Sequence, residues 1–179
     1  MRYALVLLLV TAAAAADLAE VARVATVMVD GDLSKRIQTP RSERFMLKKD
    51  PRDLWVDGDN FDVDQAAFIQ TKKTLMRLAR LCPEECDLNL WMPVKTDPPQ
   101  IQILIRNVHE MSQFWPWGAL RQEMPPEMKR VLETGEAVTV TRTAGMTSVL
   151  TPVYDSLGAV VGLVEVVSQS RPDPRENVK

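Results

Sequence analysis

Two small groups of residues carry the side chains that could do chemistry. The first is Cys82-Pro83-Glu84-Glu85-Cys86, the only two cysteines of the chain, together with its only histidine, His109. An even number of cysteines in an exported chain favours a Cys82–Cys86 disulfide. The same residues also admit a thiol pair that binds copper or exchanges electrons with help from His109, because thiolate and imidazole are soft ligands. The Cys-x2-Cys redox spacing and the Cys-x2-Cys-His haem attachment are both absent. The second group is aromatic and basic: Arg106, Trp115, Trp117, Arg142 and Tyr154. Strand alternation puts Gln102, Leu104 and Arg106 on one face and Ile101, Ile103 and Ile105 on the other. A charged side chain on a covered sheet face needs a partner. A bound carboxylate can supply it through bidentate contacts to a guanidinium, between aromatic walls. A small anionic metabolite is the expected ligand, and a protein acid such as Glu123 is the competing partner for Arg106.

An acidic run, Asp57, Asp59, Asp62 and Asp64, superficially suggests a calcium loop. Counting from Asp57, the position that needs Gly is Asp62 and the position that needs Glu is Phe68, so helix capping by Asp62 or Asp64 is the better account. No metal and no cofactor are expected. One histidine and no placed nucleophile leave hydrolase and transferase chemistry without its usual parts, so the chain is not expected to be an enzyme.

These residues must be positioned by a small number of elements. Asp17 to Val29 reads as a helix with an apolar face at Leu18, Val21, Val24 or Ala25, and Met28, ending at the Asp30-Gly31-Asp32 turn. Residues 30 to 63 read as irregular, with Pro40, Pro51, Gly31 and Gly58 as breakers and Phe45, Met46, Leu47, Leu54, Trp55 and Val56 as apolar anchors. Asp64 to Leu81 reads as a stronger helix, with Phe68, Leu75, Leu78, Ala79 and Cys82 on one face, Ile69 and Met76 beside it, and Lys72, Lys73, Arg77 and Arg80 on the wet side. From Asp87 the period becomes strand-like, with strands at Leu88 to Val94, Ile101 to Asn107, Ala137 to Thr143, Thr147 to Tyr154 and Ala159 to Ser168. A short helix at Pro126 to Glu133 has Pro near its start and Gly135 just past its end. The near-continuous apolar run from Val160 to Val167 predicts a final strand covered on both faces. Two helices followed by five mostly antiparallel strands make an α+β domain.

Arg2, the small and apolar run from Ala4 to Ala16, and Ala14 and Ala16 ahead of Asp17 have the form of a secretory signal. Thirteen helical residues rise roughly 20 Å, short of the roughly 30 Å hydrocarbon core, so a cleaved signal fits better than an anchor. The expected organisation is a signal peptide at 1–16, a single domain at 17–170 and a polar tail at 171–179. The remaining 163 or so of 179 residues suffice for one core. Composition agrees, with 46% hydrophobic and 26% charged residues and a mean hydropathy of −0.12. Net charge is −2, or −3 once Arg2 is removed, and no basic cluster stands out by composition, so nucleic acid is an unexpected partner.

The run Thr151-Pro152-Val153-Tyr154-Asp155-Ser156-Leu157-Gly158-Ala159-Val160-Val161-Gly162-Leu163-Val164, preceded by Glu133-Thr134-Gly135-Glu136, resembles the closing hairpin of the PAS-like extracellular sensors called Cache domains. That match covers about 35 residues, and the order of helices and five-stranded sheet agrees with it in layout. The resemblance implies a periplasmic or secreted, stand-alone small-molecule sensor with a pocket on one sheet face. It implies a membrane-bound sensor kinase, chemoreceptor or cyclase as the partner that uses the result, and it is compatible with a homodimer. Family members usually lie between two membrane helices, whereas this sequence ends at Lys179 after a polar tail, and no ligand contacts carry over residue by residue. The alternative is a periplasmic thiol or copper-handling protein using Cys82 and Cys86.

Overall fold

The computed structural model describes residues 18–46, 62–115, 121–143 and 145–169. The expected signal segment, the anchors at 47–56, Asp57 and Asp59, Trp117 and the C-terminal tail lie outside them. The chain forms an α+β fold around an antiparallel sheet whose described strands number six rather than the expected five. In chain order the elements are helices α1 (18–28), α2 (Gly31–Ile37), α3 (Pro40–Met46) and α4 (Gln65–Ala79), then strands β1 (Cys86–Val94), β2 (Gln100–Ile105) and β3 (Arg121–Glu123). Helix α5 (Pro126–Thr134) and strands β4 (Val138–Val140), β5 (Met146–Tyr154) and β6 (Val160–Gln169) complete it. The sheet order is β3-β2-β1-β6-β5-β4, so the first long strand and the last one lie side by side at its centre. The added strand β3 is a three-residue edge pairing with β2, too short to leave a period in the sequence.

Helix α1 buries Leu18, Val21, Ala22 and Ala25, with Val29 buried just past its end, while Met28, expected on the apolar face, is 57% exposed. The stretch expected to be irregular opens with two helices instead. Asp30 and Gly31 begin α2 rather than merely ending α1, since the Asp30 carboxylate accepts from Leu33 N at 2.9 Å and caps it. Asp32 in its first turn and Lys35 and Arg36 in its last suit the helix dipole. Pro40 stands at the first position of α3, where a missing N–H costs nothing, and Thr39 Oγ1 accepts from Ser42 N. Gly31 is required for another reason. A Cβ there would sit on the Tyr154 carbonyl oxygen and within 2.6 Å of its carbon, so only glycine lets α2 approach β5 this closely. Asp32 strengthens the docking by pairing with Lys35 and accepting from Ser156 N, and these contacts pull its carboxyl down to about 2.

Helix α4 is capped by Asp64, whose side chain accepts from Ala67 N at 3.1 Å. Its buried face is Ala67, Thr71, Leu75 and Leu78, a face turned from the expected one: Phe68, Ala79 and Cys82 are only partly buried against the core, and Ile69 and Met76, expected beside it, are exposed. Together α1, α2 and α4 cover one sheet face through Leu88, Leu90, Val149, Val153, Val164 and Val166. The opposite face carries a second apolar cluster in which Trp91, Ile101, Ile103, Leu150 and Leu163 meet Met128 and Val131 of α5 and Phe114. The last strand is therefore covered on both faces, as its apolar run predicts. Gly135 closes α5 in the left-handed conformation at φ 70°, and Gly158 takes φ 79° in the β5–β6 turn. Cys82 and Cys86 are joined by a disulfide that ties the end of the α4 turn to the start of β1.

Candidate functional site

The site is built on the sheet face that carries Trp91 and Leu163. Period-2 alternation on β1 sends Asp87, Asn89 and Trp91 to this side, and β6 and β5 contribute Glu165 and Ser148 beside them. All five are buried, and Glu165 is 0% exposed. Their partner is the segment 107–115, which leaves the end of β2 and runs across the sheet.

Asp87 accepts from His109 N at 3.3 Å and from Met111 N at 2.9 Å. Asn89 accepts from Asn107 N at 3.2 Å and donates to Met111 O at 2.7 Å. Glu165 then holds the second half of the segment. Its Oε1 accepts from Gln113 N at 3.0 Å and Ser148 Oγ at 2.8 Å. Its Oε2 accepts from Ser112 Oγ at 2.6 Å and Trp91 Nε1 at 3.1 Å, with Asn89 Nδ2 at 3.5 Å. Burial pushes the Glu165 carboxyl above its ordinary value, opposed by the hydrogen bonds from Ser112, Gln113, Ser148 and Trp91. The Gln113 side chain extends the network outward, donating to Val140 O at 2.8 Å and Ser148 Oγ at 3.0 Å and accepting from the backbone of Arg142 and Thr143. Every backbone group of an irregular segment laid on a sheet must find a partner, and buried side chains supply them here.

The anchored segment presents Phe114 and Trp115. Arg106 lies over the Trp115 ring at 4.2 Å from its centroid, and Arg142 over the Phe114 ring at 4.6 Å. Arg106 Nη1 is 3.6 Å from Glu110 Oε1, an ion pair on the half-exposed rim. Arg142 is held by both oxygens of Glu127, a contact that lowers the Glu127 carboxyl below its usual value. Thus Arg106, Trp115 and Arg142 of the expected site come together through two adjacent rings. Tyr154 does not join them: its hydroxyl donates to Gly135 O at 3.0 Å, beside the end of α5. Trp117 lies outside the described residues.

The expected strand alternation around Arg106 is corrected by a bulge. Trp91 pairs with Ile103 but Leu90 with Ile105, which leaves Leu104 as an extra residue. Ile101 and Ile103 consequently belong to the second cluster while Ile105 joins the helix-side one. Gln102 faces Gln38, and Arg106, just past the strand end, reaches Trp115 on the opposite side. Glu110 rather than Glu123 is the acid beside it.

His109 Nδ1 lies 2.8 Å from Glu85 Oε1, so the histidine sits against the segment between the two cysteines. Among the described residues no group of three His, Cys, Asp or Glu side chains is arranged to hold a metal ion. The residues missed by sequence reasoning are Asp87, Asn89, Ser112, Gln113, Ser148 and Glu165. One signal for them was present: Glu165 is the single charge inside an apolar strand run, and a buried carboxylate demands donors. No family model matches the chain, and no curated protein matches it.

Proposed function

We propose that this chain is an extracytoplasmic, Cache-like binding module in which the rim formed by Arg106, Trp115, Phe114 and Arg142 takes a small anionic metabolite. The observation that carries the proposal is that two consecutive rings of one segment each stack a guanidinium. A ligand carboxylate has a ready position at Arg106, where it exchanges with Glu110 at 3.6 Å, a rim contact with little to lose. The aromatic rings supply apolar walls. Because the same segment is bonded to Asp87 and Asn89 on β1 and to Glu165 on β6, a shift at the rim is transmitted to the two central strands. A membrane-bound kinase, chemoreceptor or cyclase is the class of partner that would read it. Two features are compatible with a periplasmic or secreted location: the Cys82–Cys86 disulfide, and no described helix long and apolar enough to cross a membrane.

A thermal-shift screen of organic acids, amino acids and nucleobases tests the proposal. A ligand at 100 times its Kd stabilises by about 2.7 kcal/mol, which raises the melting temperature by several degrees. Hits should be lost in Arg106→Ala; a folded Arg106→Ala protein that binds them as tightly as the parent removes Arg106 from the site. The second reading, thiol or copper handling, is favoured by His109 resting on Glu85 between the cysteines. It requires the disulfide to open. Ready alkylation of both thiols with tight Cu(I) uptake would establish it, and resistance of the pair to mild reductants would exclude it.

A further inference from the structure

The outward side of α4 is the one strongly charged helix face of the described fold left without ion pairs. Helical spacing of its buried residues Ala67, Thr71, Leu75 and Leu78 turns the opposite side to solvent. At the centre of that side Ile69, Lys73, Met76 and Arg80 succeed one another at intervals of three or four residues, with Lys72 and Arg77 flanking them. Ile69 is 46% and Met76 37% exposed. Residues 65–81 contain four cations and no acid, in a chain whose net charge is −2. Arg36 takes the capping Asp64, and among the described residues none of Lys72, Lys73, Arg77 and Arg80 forms an ion pair; Lys72 lies over the Phe68 ring. The fold itself uses these charges only through the Lys72–Phe68 contact and through Arg77, which suits the helix dipole from the last turn.

We infer that this face of α4 docks on an anionic phospholipid surface, lying parallel to it. Two properties select that occupant. Unpaired cations with no interspersed acid complement a sheet of lipid phosphates. Ile69 and Met76 sit among the cations rather than at an edge, which is the layout of a helix whose apolar centre enters the headgroup boundary while Lys and Arg stems reach outward. A lipid surface supplies both complements at once, phosphates for the cations and the acyl boundary for the two apolar side chains. Fifteen residues make a contact about 22 Å long. This inference stands independently of the ligand site, because α4 lies on the opposite sheet face from the 107–115 segment.

Sedimentation of the full chain with vesicles tests it. Phosphatidylglycerol-containing vesicles are compared with pure phosphatidylcholine, and the charge-reversed protein described next, which keeps Arg2 and the apolar run at 4–16, sets the baseline for what that end contributes to either. Binding should favour the anionic vesicles and weaken as salt rises. Each cation near such a surface contributes roughly a factor of five, so reversing all four (Lys72→Glu, Lys73→Glu, Arg77→Glu, Arg80→Glu) should remove the preference, a loss of roughly two orders of magnitude or more. Ile69→Ser with Met76→Ser should weaken binding while keeping its salt dependence. A photo-activatable phosphatidylglycerol should label residues 65–81, and that local readout holds even if the fourfold variant misfolds. Equal binding to both vesicle types, unchanged binding by a folded charge-reversed protein, or labelling confined to other segments overturns the inference. Retention on a soluble polyanion without vesicle binding does the same and assigns the face to an acidic macromolecule.

Discussion

Replacing Glu165 by leucine is the most direct test of how the 107–115 segment is held. The carboxylate is fully buried and serves two N–H donors whose directions are fixed, Trp91 Nε1 and Gln113 N, plus the hydroxyls of Ser112 and Ser148. The hydroxyls can rotate to other acceptors. The two N–H groups cannot, and each buried unpaired donor costs roughly 1–3 kcal/mol. Removing a buried charge recovers its desolvation cost, but that gain wins only when the donors are replaced as well, and here they remain. Glu165→Leu should therefore lose about 4 kcal/mol. Glu165→Gln should lose about 2 kcal/mol, because its amide NH2 must face either Trp91 Nε1 or Gln113 N and leaves that one donor unpaired. Urea unfolding monitored by tryptophan emission measures both losses. Hydrogen exchange at the Gln113 amide should accelerate in the leucine variant in step with its instability. A leucine variant within about 0.5 kcal/mol of the parent would refute the argument that this carboxylate holds the segment.

The same carboxyl makes a pH prediction. Its folded value is raised above the unfolded 4.5, so its contribution to stability is fully present below about 4.5 and is lost as pH rises through the folded value. The stability difference between parent and Glu165→Gln should shift in the parent's favour on acidification through that window, and a flat or opposite difference would show that the proton sits elsewhere. Gly31→Ala places a methyl on the Tyr154 carbonyl and should cost about 1–3 kcal/mol by thermal denaturation; an unchanged melting temperature would mean that α2 shifts freely. Opening the Cys82–Cys86 bond in the Cys82→Ser, Cys86→Ser double variant should cost about 2 kcal/mol, the loop entropy of so short a crosslink, and non-reducing mass spectrometry should show no alkylation of the parent. Protein exported from a bacterial host should begin at Asp17 by intact mass, and membrane-bound material retaining residues 1–16 would contradict cleavage after Ala16.

Local chemistry settled much of the architecture without tertiary information. The Asp64 cap of α4 and its buried Leu75 and Leu78, the Pro and Gly bracketing α5, the Gly158 turn and the apolar run of β6 are each decided within a few residues, and each is where the sequence places it. The cysteine pair belongs here too, since proximity along the chain brings the sulfurs within reach. Helices α2 and α3 were hidden because Asp, Gly and Pro signal a helix start and a helix stop alike. Their tertiary neighbours choose between the two, and Gly31 is resolved only by the nearness of β5. The candidate site depended on three dimensions throughout. A one-residue bulge opposite Leu90 and Trp91 sets which face Arg106 reaches, and a bulge leaves no periodic trace in a six-residue strand. The donors gathered on Glu165 come from positions 89, 91, 112, 113 and 148, so their meeting is a property of the sheet order that sets β1 and β5 on either side of β6. Spacing along a chain specifies neighbours within a helix or a hairpin; it says nothing of which distant strands will lie together, because that choice is made by burial of the whole core.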